Sequence, residues 1–132
     1  NLIQKDGRRL DFVVKGKPYN VEIDAKLLEH SLCNLISNAF KYSIGKENPK
    51  LKVTYEAKGF SLTVTDSGIG VPKEDMNDLM QPFFRSNNSI GINGTGLGLS
   101  IAKEYIEVNK GTLSVNSTEG VGSSFEMKFK KS

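Results

Sequence analysis

Three places along this 132-residue chain combine residue types that can do chemistry. The first is Gly94-Thr95-Gly96-Leu97-Gly98-Leu99-Ser100-Ile101, where three alternating glycines run into an apolar helical pattern, Leu97, Ile101, Ala102, Tyr105 and Ile106. Without Cβ atoms the backbone can come very close to a ligand. The free N–H groups and positive end of the following helix favour an anion, above all phosphate. A lone Gly-x-Gly-x-Gly is also an ordinary loop, so its meaning depends on what else the chain supplies. The second place is Asn34, Asn38 and Lys41, two carboxamides and an ammonium at one-turn spacing. The third is Asp66-Ser67-Gly68-Ile69-Gly70, which reads either as a plain turn or as a carboxylate beside a ligand, with glycines admitting a flat group.

Those residues need elements to position them. Leu10, Phe12 and Val14 alternate, and Tyr19, Val21 and Ile23 alternate after Gly16-Lys17-Pro18, which predicts two strands joined by a short turn. Asp24 is a good N-cap for a helix over residues 25 to about 42. At 3.6 residues per turn Leu28, Leu32, Leu35, Ile36 and Ala39 share the core side, while Asn34, Asn38 and Lys41 share the other, with His30 one turn earlier. Asn is a poor helix former, and nothing local offsets the cost of two on one face, so this face is expected to be used. Leu51, Val53 and Tyr55, then Phe60, Leu62 and Val64, predict a hairpin that delivers Asp66 at its end. Pro72 opens a short helix over 73–80. Pro82-Phe83-Phe84-Arg85 reads as packing with a surface charge, and the polar stretch 86–93 as a lid. A helix from Leu97 to about Val108 is stopped at Gly111, and a last hairpin runs through Leu113 and Val115 to Phe125, Met127 and Phe129. Short local connections argue for a mostly antiparallel or mixed sheet with helices on one face, and against a Walker or Rossmann reading of the glycines.

Bulk properties narrow the classes further. One domain spanning residues 1–132 is the expectation at this length. A net charge of +3 suits an anionic ligand but is too small to argue for nucleic acid. Cys33 is the single cysteine, which excludes a disulfide framework, points to a reducing compartment and, within a helical pattern, predicts a buried inert thiol. No run of residues is long and apolar enough for a bilayer span. A first residue of Asn1 rather than Met suggests a piece of a longer protein.

Four spaced elements coincide. Asn34-Leu35-Ile36-Ser37-Asn38-Ala39-Phe40-Lys41-Tyr42-Ser43 resembles the N box of sensor histidine kinases, Asp66-Ser67-Gly68-Ile69-Gly70 their G1 box, Pro82-Phe83-Phe84-Arg85 their F box, and Gly94-Thr95-Gly96-Leu97-Gly98-Leu99 their G2 box. The likeness continues through Gly111 to Gly120-Val121-Gly122-Ser123-Ser124-Phe125 and covers nearly the whole chain. Each box alone is weak; all four in order are specific. The chain thus resembles the catalytic, ATP-binding domain of two-component sensor histidine kinases, within the gyrase–Hsp90–histidine kinase–MutL superfamily. The implied fold is the α/β (α+β) Bergerat two-layer sandwich, a mixed, mostly antiparallel sheet covered on one face by helices.

The resemblance implies a role at each matching position. Asn38 would ligate Mg²⁺ through its side-chain oxygen, and Asn34 would touch the metal shell or orient the nucleophile. Lys41 would meet the phosphates as a point charge, and Arg85 would reach the γ-phosphate and stabilise charge during transfer. Tyr42 would lie against adenine, Asp66 would accept its exocyclic N–H, Gly68 and Gly70 would admit the base, and Ile69 would give apolar contact. The backbone of Gly94, Thr95, Gly96, Leu97, Gly98 and Leu99 would cradle the phosphates. Ser123, where the family usually has Thr, would bond the adenine site through water. Ser67 replaces a common Asn, and Asn109-Lys110-Gly111 replaces the usual His-Gly-Gly at what is mainly a helix stop.

The implied activity is transfer of the ATP γ-phosphoryl group to a histidine on a separate dimerisation domain of the same parent protein, and thence to a response regulator. His30 lacks the His-Glu-x-x-x-Pro setting of that acceptor. The parent would be a homodimer, the isolated domain a monomer that binds ATP or ADP and no nucleic acid. Its location would be cytoplasmic, including the cytoplasmic part of a membrane-anchored sensor. The rival readings are a same-fold ATPase, which typically carries Glu at the position of Asn34 as a base for water; a same-fold serine kinase; and a non-catalytic nucleotide-binding module.

Overall fold

In a computed structural model, which describes residues 9–43, 45–81 and 98–131, the elements run β1 (Asp11–Lys15), α1 (Ala25–Lys41), β2 (Lys50–Glu56), β3 (Gly59–Asp66), a 3-10 turn (Lys73–Asp78), α2 (Gly98–Val108), β4 (Thr112–Thr118) and β5 (Gly122–Lys130). The five strands form one sheet in the order β1-β2-β3-β5-β4. All neighbours are antiparallel except β1 and β2.

Period-two alternation sorts the sheet into two faces. Leu51 and Val53, Phe60, Leu62 and Val64, and Phe125, Met127 and Phe129 are buried on one face. Leu35, Ile36, Ala39 and Phe40 of α1 and Ala102 and Ile106 of α2 complete that core. Each fully buried large apolar side chain contributes about 1.5–3 kcal/mol. On the other face Lys52, Thr63, Glu126 and Ser114 align across four strands, a polar surface that needs no cover. The molecule is therefore a two-layer α/β sandwich with a mixed, mostly antiparallel sheet and its helices on one side, as the residue pattern and the resemblance both imply.

Two tethers hold the helices to each other. The buried Ser31 hydroxyl lies 3.0 Å from the Leu27 carbonyl oxygen of its own helix and 3.2 Å from that of Ala102 on α2. Asn109, just past α2, accepts the Asp24 N–H at 2.8 Å and donates to the Asp24 carbonyl at 3.1 Å. Asp24 is the N-cap of α1, its carboxylate accepting from the N–H groups of Lys26 and Leu27. The end of α2 is thus pinned to the start of α1, and the two helices run antiparallel.

Several expectations need correction. Residues 19–23 form no strand: Tyr19, Val21 and Ile23 do face inward, but the segment crosses as irregular chain, with the Tyr19 hydroxyl on the Glu56 carbonyl at 2.8 Å. The predicted first hairpin is instead a crossover, because β1 pairs in parallel with β2 and α1 makes the connection between them. β1 is an edge strand, and Phe12 stands 61 % exposed on it. The helix expected over 73–80 is the shorter 3-10 turn. Cys33 is exposed, not buried. The stop of α2 is a Schellman arrangement, with Gly111 N–H on the Ile106 carbonyl and Lys110 N–H on that of Glu107, both at 2.9 Å. Its left-handed residue is Lys110, at φ 63°, not Gly111. Gly111 is glycine for another reason: a Cβ there would sit 2.5 Å from the Phe129 ring and 2.9 Å from the Lys128 carbonyl.

Candidate functional site

The site is built where α1 ends against the loop that follows β3. Asn34, Asn38 and Lys41 are all half-buried on α1, on its less buried side. Burial on α1 spreads wider than the predicted stripe, to Ser31 and Phe40, yet leaves those three side chains accessible. Tyr42 caps the helix, its N–H on the Asn38 carbonyl at 3.0 Å. The Tyr42 carbonyl in turn accepts the Ile69 N–H at 3.1 Å. A Cβ on Gly68 would collide with that same carbonyl, which explains glycine there by backbone-to-backbone approach. α1 and the Asp66 loop are therefore stitched into one unit.

The loop is held from its far side too. The Gly120 N–H donates to the Ile69 carbonyl at 2.8 Å, and the Val71 N–H to the Ser117 hydroxyl at 2.7 Å. Gly70 has φ 67°, and a Cβ on it would meet the Thr118 carbonyl. Both glycines of this loop thus answer to the protein's own backbone.

Asp66 is the last residue of β3 and only 7 % exposed. One carboxylate oxygen accepts the Gly68 N–H at 2.9 Å. Burial raises its pKa above the ordinary carboxylate value; the backbone N–H groups of Gly68 and Ser123 oppose that rise without cancelling it. Ser123 lies directly opposite Asp66 in the β3–β5 register and is also buried. A buried carboxylate anchored by backbone donors is a fixed acceptor for a ligand N–H group.

The third component arrives through α2. Ser31 meets Ala102, and α2 begins four residues earlier, at Gly98. At a rise of about 1.5 Å per residue, antiparallel packing sets its first turn beside the half of α1 that carries Asn34 and Asn38. A helix N-terminus favours an anion, so the start of α2 on this side of α1 is suited to one. Leu99 is half-buried and packs on the core. Arg85, Gly94, Thr95, Gly96 and Leu97, with the rest of the 82–85 segment and the expected lid, lie outside the described residues. Ser117 has no distinguishing pattern in the sequence, and Asn109 reads there only as part of a helix stop; their partners give both their roles.

Comparison with known proteins agrees with this fold. Residues 23–132 match the model of a family described as histidine kinase-, DNA gyrase B- and HSP90-like ATPase. The chain is 35% identical over 118 residues to the circadian input-output histidine kinase CikA of Synechococcus elongatus, covering 88% of this chain and 16% of that protein. It is 39% identical over 106 residues to the sensor histidine kinase WalK of Bacillus subtilis, covering 77% of this chain and 17% of that one. The chain thus spans about a sixth of the length of these relatives. A solved structure of the mycobacterial sensor histidine kinase MprB superposes with a TM-score of 0.76 at 26% identity, covering 92% of this chain and 84% of the other.

Proposed function

This chain belongs to the family of histidine kinase-, DNA gyrase B- and HSP90-like ATPases, and we propose that it is the catalytic domain of a sensor histidine kinase, a single domain within a longer protein. It takes the ATP γ-phosphoryl group and delivers it to a histidine on a helical dimerisation domain of the same parent, from which a response regulator receives it. The observation that carries this reading is the bond between the Ile69 N–H and the Tyr42 carbonyl. It couples the base-binding carboxylate and the phosphate-binding face of α1 in one rigid piece.

In this reading Asp66 accepts the adenine amino group, with Ile69 and Tyr42 against the base and Ser123 beside it. Lys41 neutralises phosphate charge, and Asn34 orients the reacting groups. An amide cannot take a proton from water, which favours transfer over hydrolysis. Arg85 stabilises charge developing on the transferred group, and the backbone from Gly94 to Leu99 cradles the phosphates. Among the described residues no three His, Cys, Asp or Glu side chains cluster for a metal. Mg²⁺ needs no such cage, because it keeps several waters and takes its other ligands from phosphates. One half-buried amide oxygen fits that demand, and Asn38 is the residue to hold the ion. When bound, the ion offsets phosphate charge.

His30, the only histidine in the chain, lies on the surface of α1 with its ring edge-on to Tyr105, centroids 5.3 Å apart. It lacks the His-Glu-x-x-x-Pro setting of an acceptor, and in this reading the acceptor is on another segment. Among the described residues no helix is long and apolar enough to cross a membrane. We place the domain on the cytoplasmic side, where ATP is. Incubation with γ-labelled ATP tests the proposal. The chain alone should remain unlabelled, and the parent's histidine-bearing helical domain should acquire label when both are present. Strong labelling of the isolated chain, or none of the helical domain, contradicts it.

A further inference from the structure

Of the described strands, β1 and β4 form the two edges of the sheet, and they differ in what they show to solvent. The exposed residues of β4 are Thr112, Ser114, Asn116 and Thr118. On β1 the consecutive residues Phe12, Val13 and Val14 are 61, 45 and 44 % exposed. An apolar edge with unpaired backbone groups is a template for another strand.

The bonding phase of that edge follows from its pairing with β2. Asp11 stands opposite Lys50 in a parallel ladder, and its N–H donates to the Pro49 carbonyl at 2.9 Å. In such a ladder alternate residues turn both backbone groups to the same neighbour. Asp11, Val13 and Lys15 therefore bond to β2, and Phe12 and Val14 turn their N–H and C=O groups to the open edge. By side chain, Phe12 and Val14 share the face of Leu51 and Val53, whereas Asp11, Val13 and Lys15 share the polar face.

β1 is complementary to itself in this phase. A two-fold axis at Val13 lays a second copy alongside, antiparallel. Asp11 of each copy then faces Lys15 of the other, Phe12 faces Val14, and Val13 faces Val13. The two Phe12–Val14 pairs are the ones with free backbone groups, and each exchanges two hydrogen bonds. The neighbouring registers that keep this phase set Val13 opposite Asp11 or Lys15 and lose the charge pairs. Gly16, at φ 84°, turns the chain away after Lys15, so the ladder ends with those pairs. The Asp11 carboxylate meets the Asn48 amide only at 3.5 Å and retains accepting capacity.

We infer that β1 is an interaction surface for a second copy of this chain, joining two five-stranded sheets edge to edge. A five-residue ladder buries less than the roughly 1,200 Å² of stable complexes, so the isolated chain is a monomer when dilute and a dimer when concentrated. A parent that dimerises through another domain brings the two edges to high effective concentration, where a weak contact suffices. The contact uses none of the pocket residues, so its failure leaves the nucleotide reading untouched.

Sedimentation velocity over a wide concentration series tests this. The unaltered chain shifts with concentration towards twice the monomer mass and no further, since a two-fold contact closes on itself. Asp11→Lys and Lys15→Asp each set like charges opposite one another, and each alone weakens association about tenfold. Mixed in equal amounts, the two variants regain both charge pairs and associate as the unaltered chain does. Val14→Pro removes an N–H that β1 does not use toward β2, so it abolishes association while the chain still folds. A chain monomeric at every concentration, species larger than a dimer, or single charge variants that associate like the unaltered chain overturn the inference. So does a mixture no better than either variant alone. Should the charge variants not fold, undiminished association of Val14→Pro overturns it equally.

Discussion

Asp66 sets burial against charge at a single side chain. Its carboxylate is taken out of water, which raises its pKa, and two backbone N–H groups recover only part of the cost. The sign of the pH effect follows. A carboxyl whose folded pKa is raised contributes stability that is fully present below the unfolded value and lost as pH rises through the folded one. Compared with Asp66→Asn, the nucleotide-free chain should therefore gain stability on acidification through that raised value. ADP affinity should move the other way, because the neutral acid is the poorer acceptor. Denaturant melts and ADP titrations between about pH 7 and about pH 4 check both; stability and affinity falling together would contradict the assignment. The sequence made Asp66 visible through its place at a strand end before Gly-x-Gly. It could not reveal Ser117, because a hydroxyl's role depends on which strand lies opposite, and the β4–β5 register brings Ser117 to Ser123.

At the scale of elements, local signals succeeded where the physics is local. Asp24 caps α1 as its residue type suggests, and α1 ends at Lys41, one residue short of the expected limit. The alternation around Leu51 and Leu62 became a hairpin because the turn and the strands agree. Residues 19–23 show what alternation leaves out. Tyr19, Val21 and Ile23 alternate and turn inward, but facing inward does not supply a partner strand for the backbone. The end of α2 makes a sharper case, since Gly111 looks like the helix stop and Lys110 holds the left-handed conformation. Lys110→Gly should therefore stabilise the chain by about 1 kcal/mol, read as a higher midpoint in urea at unchanged slope. Gly111→Ala should destabilise it through the Phe129 ring and the Lys128 carbonyl. A neutral or harmful Lys110→Gly would contradict this reading of the stop.

At the scale of the molecule, the site exists because distant segments are pinned together. Asn109 ties the end of α2 to the cap of α1 across 85 residues of sequence, so α2 begins beside Asn34 and Asn38. The loop after β3 is closed by α1 on one side and the β4–β5 turn on the other. The layered architecture was legible in the order of elements and in the family resemblance. The parallel pairing of β1 with β2 was not, because a short Gly-Pro turn suggests a local hairpin and nothing in β1 names its neighbour. The most direct test of the account is stabilisation by nucleotide. A ligand that binds only the native state must raise its stability, by about 2.7 kcal/mol at one hundred times Kd. Thermal melts with Mg²⁺ and ADP should show that rise for the unaltered chain and lose most of it in Asn38→Ala and Asp66→Ala, each compared with its own nucleotide-free melt. No shift in the unaltered chain, or an undiminished shift in both variants, would contradict the assignment of this pocket.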